Sequence, residues 1–233
     1  MNSMTPVSLI SGSADTGVSA AQRNRVLRNT YWLLALSMVP TVLGAWIGVA
    51  SGLFQAMSPG TSMIVFFVGA FGLMFLVEKT KDSAIGVAAL LGFTFFMGLM
   101  LSRLIGFVLG YRNGTSLVMT AFGGTAAVFF TMATLATVIK RDLSSMGKFL
   151  TVGAVVLMVA CIANFFLQSS AMMLTILVLM LGVFSAFMLY DIKRVIDGGE
   201  TNYISATLNI YLDIYNVFQS LLSLLGIFGG DRD

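Results

Sequence analysis

SAIGVAALLGFTFFMGLMLSRLIGFVLG, Ser83–Gly110, carries a single charged side chain, Arg103, in 28 consecutive residues. A helix needs about 20 mostly apolar residues, at about 1.5 Å of rise each, to cross a hydrocarbon core of about 30 Å. The stretch is therefore long enough and dry enough to span a membrane. Outward from it the same texture recurs, at Tyr31–Gly52, Thr61–Val77, Thr115–Ile139, Phe149–Gln168 and Ala171–Tyr190, with a more polar run at Thr207–Gly229. The predicted fold class is an all-α polytopic membrane protein with seven transmembrane helices.

Composition says the same. Of 233 residues 58% are hydrophobic and 10% charged, against about a quarter charged in soluble domains, and the mean hydropathy is +0.94. These values exclude a soluble enzyme, a nucleic-acid-binding protein and a disordered regulator. There is no histidine, so Ser–His–Asp triads, Cys–His dyads and HExxH zinc sites are impossible. The lone Cys161 can form neither an internal disulfide nor a cysteine metal site, and reads as a small buried hydrophobe. No cofactor is expected.

The chain divides into a polar tail over 1–29, with helix onset expected between Arg25 and Thr30, and a seven-helix transmembrane domain over 30–230. The connections are too short to hold another domain. Ten of the thirteen Lys and Arg residues lie in the tail and in the second, fourth and sixth connections. By the positive-inside rule this predicts a cytoplasmic N-terminus and, after seven spans, an external Asp231-Arg232-Asp233. Gly44 and Gly48, and Gly106 and Gly110, have GxxxG spacing, and Gly123-Gly124 lies inside the fourth span. Each pattern allows close helix approach.

Charges inside spans are costly and mark pathways or relays. Three candidates exist. Asp213 shares a helical face with Asn209, Asn216 and Ser220, a polar stripe that needs partners or water, which predicts that the last helix is central. The competing reading is an interfacial amphipathic helix with Asp213 in water. Asp191 follows Tyr190 and is either a loop charge beside Lys193 and Arg194 or, if its helix continues to Ile196, an internal one. Two carboxyls brought together in low dielectric cannot both ionise cheaply, so such a pair shares a proton and forms a latch that needs no histidine. A tight turn at Gly198-Gly199 would leave Asp213 about 10 Å deeper than Asp191. The pair can meet if Glu200–Ser205 lies outside the membrane helix, as we expect, or if that helix is broken or displaced. Arg103 either snorkels to the external interface or lines an outer vestibule.

Two protease signatures fail. Asp15-Thr16-Gly17 spells DTG but sits in a short tail rather than a two-lobed β fold. Tyr190-Asp191 matches the YD half of an intramembrane aspartyl protease, whereas Tyr211-Leu212 before Asp213 does not match its GxGD half. The chain reads as a non-enzyme.

Phe187-Met-Leu-Tyr-Asp191-Ile-Lys-Arg-Val-Ile196, Asn202-Tyr-Ile204, Tyr211-Leu-Asp213-Ile-Tyr-Asn-Val-Phe218 and Leu221-Leu222 resemble the C-terminal signature of the Bax inhibitor (transmembrane Bax inhibitor motif) family. Arg28-Asn-Thr-Tyr31, Gly72-Leu-Met-Phe75, Gly123-Gly-Thr125 and Gly198-Gly-Glu-Thr-Asn-Tyr-Ile204 resemble its bacterial YccA-type branch. The resemblance implies a last helix wrapped by the other six, and residence in the bacterial inner membrane. It also implies a pH-sensitive calcium leak held by aspartates on the sixth and seventh helices, here Asp191 and Asp213. Calcium would be the permeant ion, bound weakly and transiently at this pair, with Asn209, Asn216 and Ser220 lining its path. The YccA-type branch implies an alternative: modulation of the FtsH-type membrane AAA protease, with the tail Met1–Arg28 as the contact. Some family members carry an arginine on the second helix that pairs with the first aspartate; Thr61–Val77 contains no charge.

Overall fold

The computed structural model describes residues 19–230, and among them every regular element is helical. The helices are α1 (Ala20–Ser51), α2 (Leu53–Ala56), α3 (Pro59–Thr80), α4 (Ala84–Leu109), α5 (Gly114–Val138), α6 (Ser144–Leu167), α7 (Ser170–Ile196) and α8 (Tyr203–Gly229). All except the single turn α2 are long and apolar enough to cross a membrane. The protein is a multi-pass membrane protein.

The helices outrun their apolar stretches, because hydropathy reads the lipid-embedded part whereas backbone hydrogen bonding continues into water. α1 is the clearest case. Its onset is at Ala20 rather than between Arg25 and Thr30, since the Ser19 hydroxyl accepts from the Gln22 N–H at 3.2 Å and caps the first turn. The exposed Gln22, Asn24 and Arg25 are then ordinary helix-surface residues. Ser58 caps α3 with Pro59 in its first turn, and Ser169 caps α7. The DTG triplet and Asp231-Arg232-Asp233 lie outside the described residues.

Side chains are sorted for lipid. Trp32, Trp46, Phe75, Phe149 and Phe166 are exposed on the outside, where acyl chains rather than water would meet them. Cys161 is exposed too, not buried as expected, because an apolar run does not say which face looks inward. α8 is the most buried span and α3 and α6 the least. α8 packs against α1, α3, α4, α5 and α7. Five of the six other spans thus touch it, while α6 packs on α7.

Close approach is concentrated where α1 crosses α4. A Cβ on Gly44 would strike the Phe95 carbonyl, one on Gly48 the Ser102 side chain, and one on Gly98 the Thr41 carbonyl. The Gly44–Gly48 motif is therefore answered from the opposite helix by Gly98. The other glycine pairs do less. Gly110 touches the preceding turn of its own helix, Gly123 has open space around it, and Gly124 rests on the Leu221 side chain of α8 at 3.3 Å.

Candidate functional site

α7 continues to Ile196, which places Asp191 five residues, about 7.5 Å, inside its end. Arg194 and Lys193 then belong to the last helical turn, where cations complement the helix C-terminus. Lys193 pairs with Asp197 at 2.7 Å and Arg194 with Glu200 at 3.4 Å. Asp191 is thus the last carboxylate before the bundle interior rather than one of a set of solvated loop charges.

The connection to α8 departs from the expectation in part. Glu200–Asn202 lies outside the helix, but Tyr203, Ile204 and Ser205 are helical, because the Asn202 side-chain oxygen Oδ1 accepts from the Ile204 and Ser205 N–H groups at 2.9 and 3.2 Å. The same side chain donates to the Lys81 carbonyl at 3.1 Å and to Asp82 Oδ1 at 2.8 Å. The loop is thereby carried out to the α3–α4 turn, and Gly198, at φ +81, makes the left-handed bend that directs it there. Asp213 lies ten residues from the start of α8 and Asp191 five from the end of α7, an offset of about 7.5 Å that a six-residue connection can take up.

The two carboxyls meet. Asp213 is 3% exposed, and its carboxyl lies within hydrogen-bonding reach of that of Asp191, with Arg194 and Glu200 the other charges facing Asp191. One oxygen, Asp213 Oδ2, has no hydrogen-bond partner. Carboxylate oxygens only accept, so this contact becomes a hydrogen bond when one of them carries a proton. Asp213 is therefore inside the bundle, not on an interfacial helix.

The rest of the stripe is less uniform. Asn216 is half-buried and donates to the Leu212 carbonyl of its own helix at 2.8 Å. Asn209 is half-buried, and the Ser220 hydroxyl is fully buried without a partner. Arg103, near the opposite end of the bundle, donates through Nη1 to the Ser62 hydroxyl of α3 at 2.8 Å. It lines a cavity of about 450 Å³ together with Ser62, Tyr215 and Gln219.

A second face of α8 was not singled out in the sequence. Thr207, Tyr211, Tyr215 and Gln219 recur every four residues. The Thr207 hydroxyl donates to the Tyr203 carbonyl at 2.6 Å and faces the Thr30 carbonyl at 3.3 Å. The Tyr211 hydroxyl shares a 2.9 Å hydrogen bond with Thr41 and lies 3.4 Å from the Thr94 carbonyl, joining α8 to both α1 and α4. The spacing of four was the available signal, but tyrosines read as apolar filling unless their hydroxyls have partners.

These features define a seven-helix membrane protein whose last helix is its most buried span, with a carboxyl pair between its last two spans. The chain belongs to the Bax inhibitor family: the family model described as "Inhibitor of apoptosis-promoting Bax1" matches residues 23–230. Among its relatives is the "Modulator of FtsH protease YccA" of Escherichia coli strain K12, 38% identical over 223 residues, covering 96% of this chain and 99% of the relative. The protein of E. coli O6:H1 with the same identity and coverage is called "Inner membrane protein YccA". "Uncharacterized protein PA2604" of Pseudomonas aeruginosa is 39% identical over 206 residues, 88% of this chain and 90% of the relative.

Proposed function

We propose that this protein modulates an FtsH-type membrane protease in the bacterial inner membrane. The observation that carries the reading is end-to-end similarity to a relative named for that role. On this reading the protein is a binding partner rather than an enzyme, and the basic end of the bundle, with the N-terminus, faces the cytoplasm. The polar first turns of α1 present Gln22, Asn24, Arg25 and Arg28 outward, so a contact made through the N-terminal segment continues onto this surface. Val26 packs with Val195 and Ala206, so a test by truncation must stop short of it. Deleting residues 2–18 leaves the Ser19 cap in place. It should lower co-purification with the protease severalfold, while Asp213→Asn should not. Equal recovery of both forms would move the contact away from the N-terminal segment. No recovery of full-length protein with the protease would sink the reading.

The carboxyl contact supports a second reading, a proton-controlled cation leak for which calcium is the permeant ion. The acidic donors there are two carboxyls, and among the described residues no group of three or more His, Cys, Asp or Glu comes together. That donor set suits transient passage rather than tight holding. In dye-loaded liposomes calcium entry should respond to a step from mildly acidic to neutral pH, and Asp213→Asn should remove the response. Flux equal to that of empty liposomes at every pH would overturn this reading and leave the first intact.

A further inference from the structure

Among the described residues, Arg103 is an intramembrane cation without a counter-ion. It lies six residues, about 9 Å, from the end of α4. A guanidinium offers five N–H donors, yet its hydrogen bond is the single one to Ser62, and no carboxylate lies within ion-pair range of it among the described residues. A cation held this way at membrane depth is costly unless an anion or water compensates it. The open cavity beside it has a volume of about 450 Å³, within the range of about 300–1,000 Å³ typical of ligand sites.

The lining is amphipathic. Arg103, Ser62, Gln219 and Tyr215 supply the polar groups, and Phe54, Phe66, Met100 and Leu104 are among the apolar walls. Phe107 lines the cavity and is also 59% exposed on the outer surface, so one wall of the cavity is continuous with the face that meets acyl chains. Charge and shape together select an occupant with an anionic head and an apolar body. Arginine is suited to the head because its planar fork binds phosphate bidentately.

We propose that this cavity is a binding site for one anionic phospholipid, its phosphate on Arg103 and Ser62 and an acyl chain along Phe66 and Phe107. The site stands apart from the carboxyl pair and does not depend on protease modulation. It gives the protein a means to sense anionic lipid at the end of the bundle opposite Asp191, through α8, which carries Asp213, Tyr215 and Gln219.

Native mass spectrometry of the full chain in a nonionic detergent tests this. The protein is titrated with dioleoyl phosphatidylglycerol, with phosphatidylcholine of the same chains, and with inorganic phosphate. One phosphatidylglycerol should be retained in preference to phosphatidylcholine. Arg103→Gln should weaken that retention about tenfold, as expected for a lost charge-assisted contact, and Arg103→Lys should weaken it less. Lys140→Gln, at an exposed site on the basic end, should not change it. If Arg103→Gln does not fold, Arg103→Lys and Ser62→Ala carry the comparison, both weakening retention. Equal retention by wild type and by the Arg103 and Ser62 variants would overturn the proposal, as would equal retention of the two lipids. Displacement of phosphatidylglycerol by inorganic phosphate would overturn it in favour of a free-anion site.

Discussion

The α1–α4 seam and the α7–α8 seam solve the same problem in opposite ways. Lipid supplies no hydrophobic drive between helices, so association rests on close van der Waals packing or on polar contact. At α1–α4 Gly44 and Gly98 bring backbone against backbone, and Gly48 admits the Ser102 side chain. At α7–α8 two carboxyls face each other and one oxygen is left without a partner. The first arrangement maximises contact and leaves nothing to titrate. The second keeps an unpaired buried group, which lowers stability by about 1–3 kcal/mol and persists because the surrounding packing holds it. The contrast separates what holds the bundle together from what it can respond with.

The sharpest way to break the comparison is Gly98→Leu. Even its Cβ collides with the Thr41 carbonyl, which is backbone and cannot swing aside. The expected loss is about 3 kcal/mol or more, read as disappearance of the monodisperse peak in size-exclusion chromatography. A normal peak would mean that the two helices can part without consequence. Asp213→Asn should act in the opposite direction. Its amide can donate to Asp191 without taking up a proton, so the melting temperature in detergent at neutral pH should rise, by about 1 kcal/mol of stability. A fall would show that the carboxyl is better satisfied than its geometry indicates. The smallest effect belongs to a carboxylate in water. Hydrogen bonds from the Ser144 hydroxyl, at 2.6 Å, and backbone N–H, at 2.8 Å, hold Asp142 below its ordinary value. That contribution is complete above the unfolded value of about 4 and is lost as pH falls through the folded one. Ser144→Ala should therefore melt slightly earlier at neutral pH, and the gap should close in acid. A gap independent of pH would assign the effect to helix propensity instead.

Much of the architecture was legible because a bilayer imposes a simple rule. Spans such as Ser83–Gly110 announce themselves by length and dryness, and Asp213 by being a charge among Leu and Ile. Helix ends were not, since the caps Ser19 and Asn202 act beyond the apolar runs that mark the spans. Gly98 was missed because its importance lies in what faces it: Thr41, 57 positions earlier. The Tyr211 hydroxyl was missed for the same reason, its partners Thr41 and Thr94 being on other helices.

The sequence by itself determined the seven spans, the absence of histidine chemistry and the short list of intramembrane charges, because each follows from counting residues along one segment. Only the tertiary structure decided that α6 packs on α7 rather than on α8, that Cys161 faces outward, that Asp191 reaches Asp213, and that Arg103 stands over a cavity with a hydroxyl as its single partner among the described residues. Those outcomes depend on helix rotation and relative height. Local hydropathy carries neither, since an apolar side chain fits equally well against lipid or against a neighbouring helix.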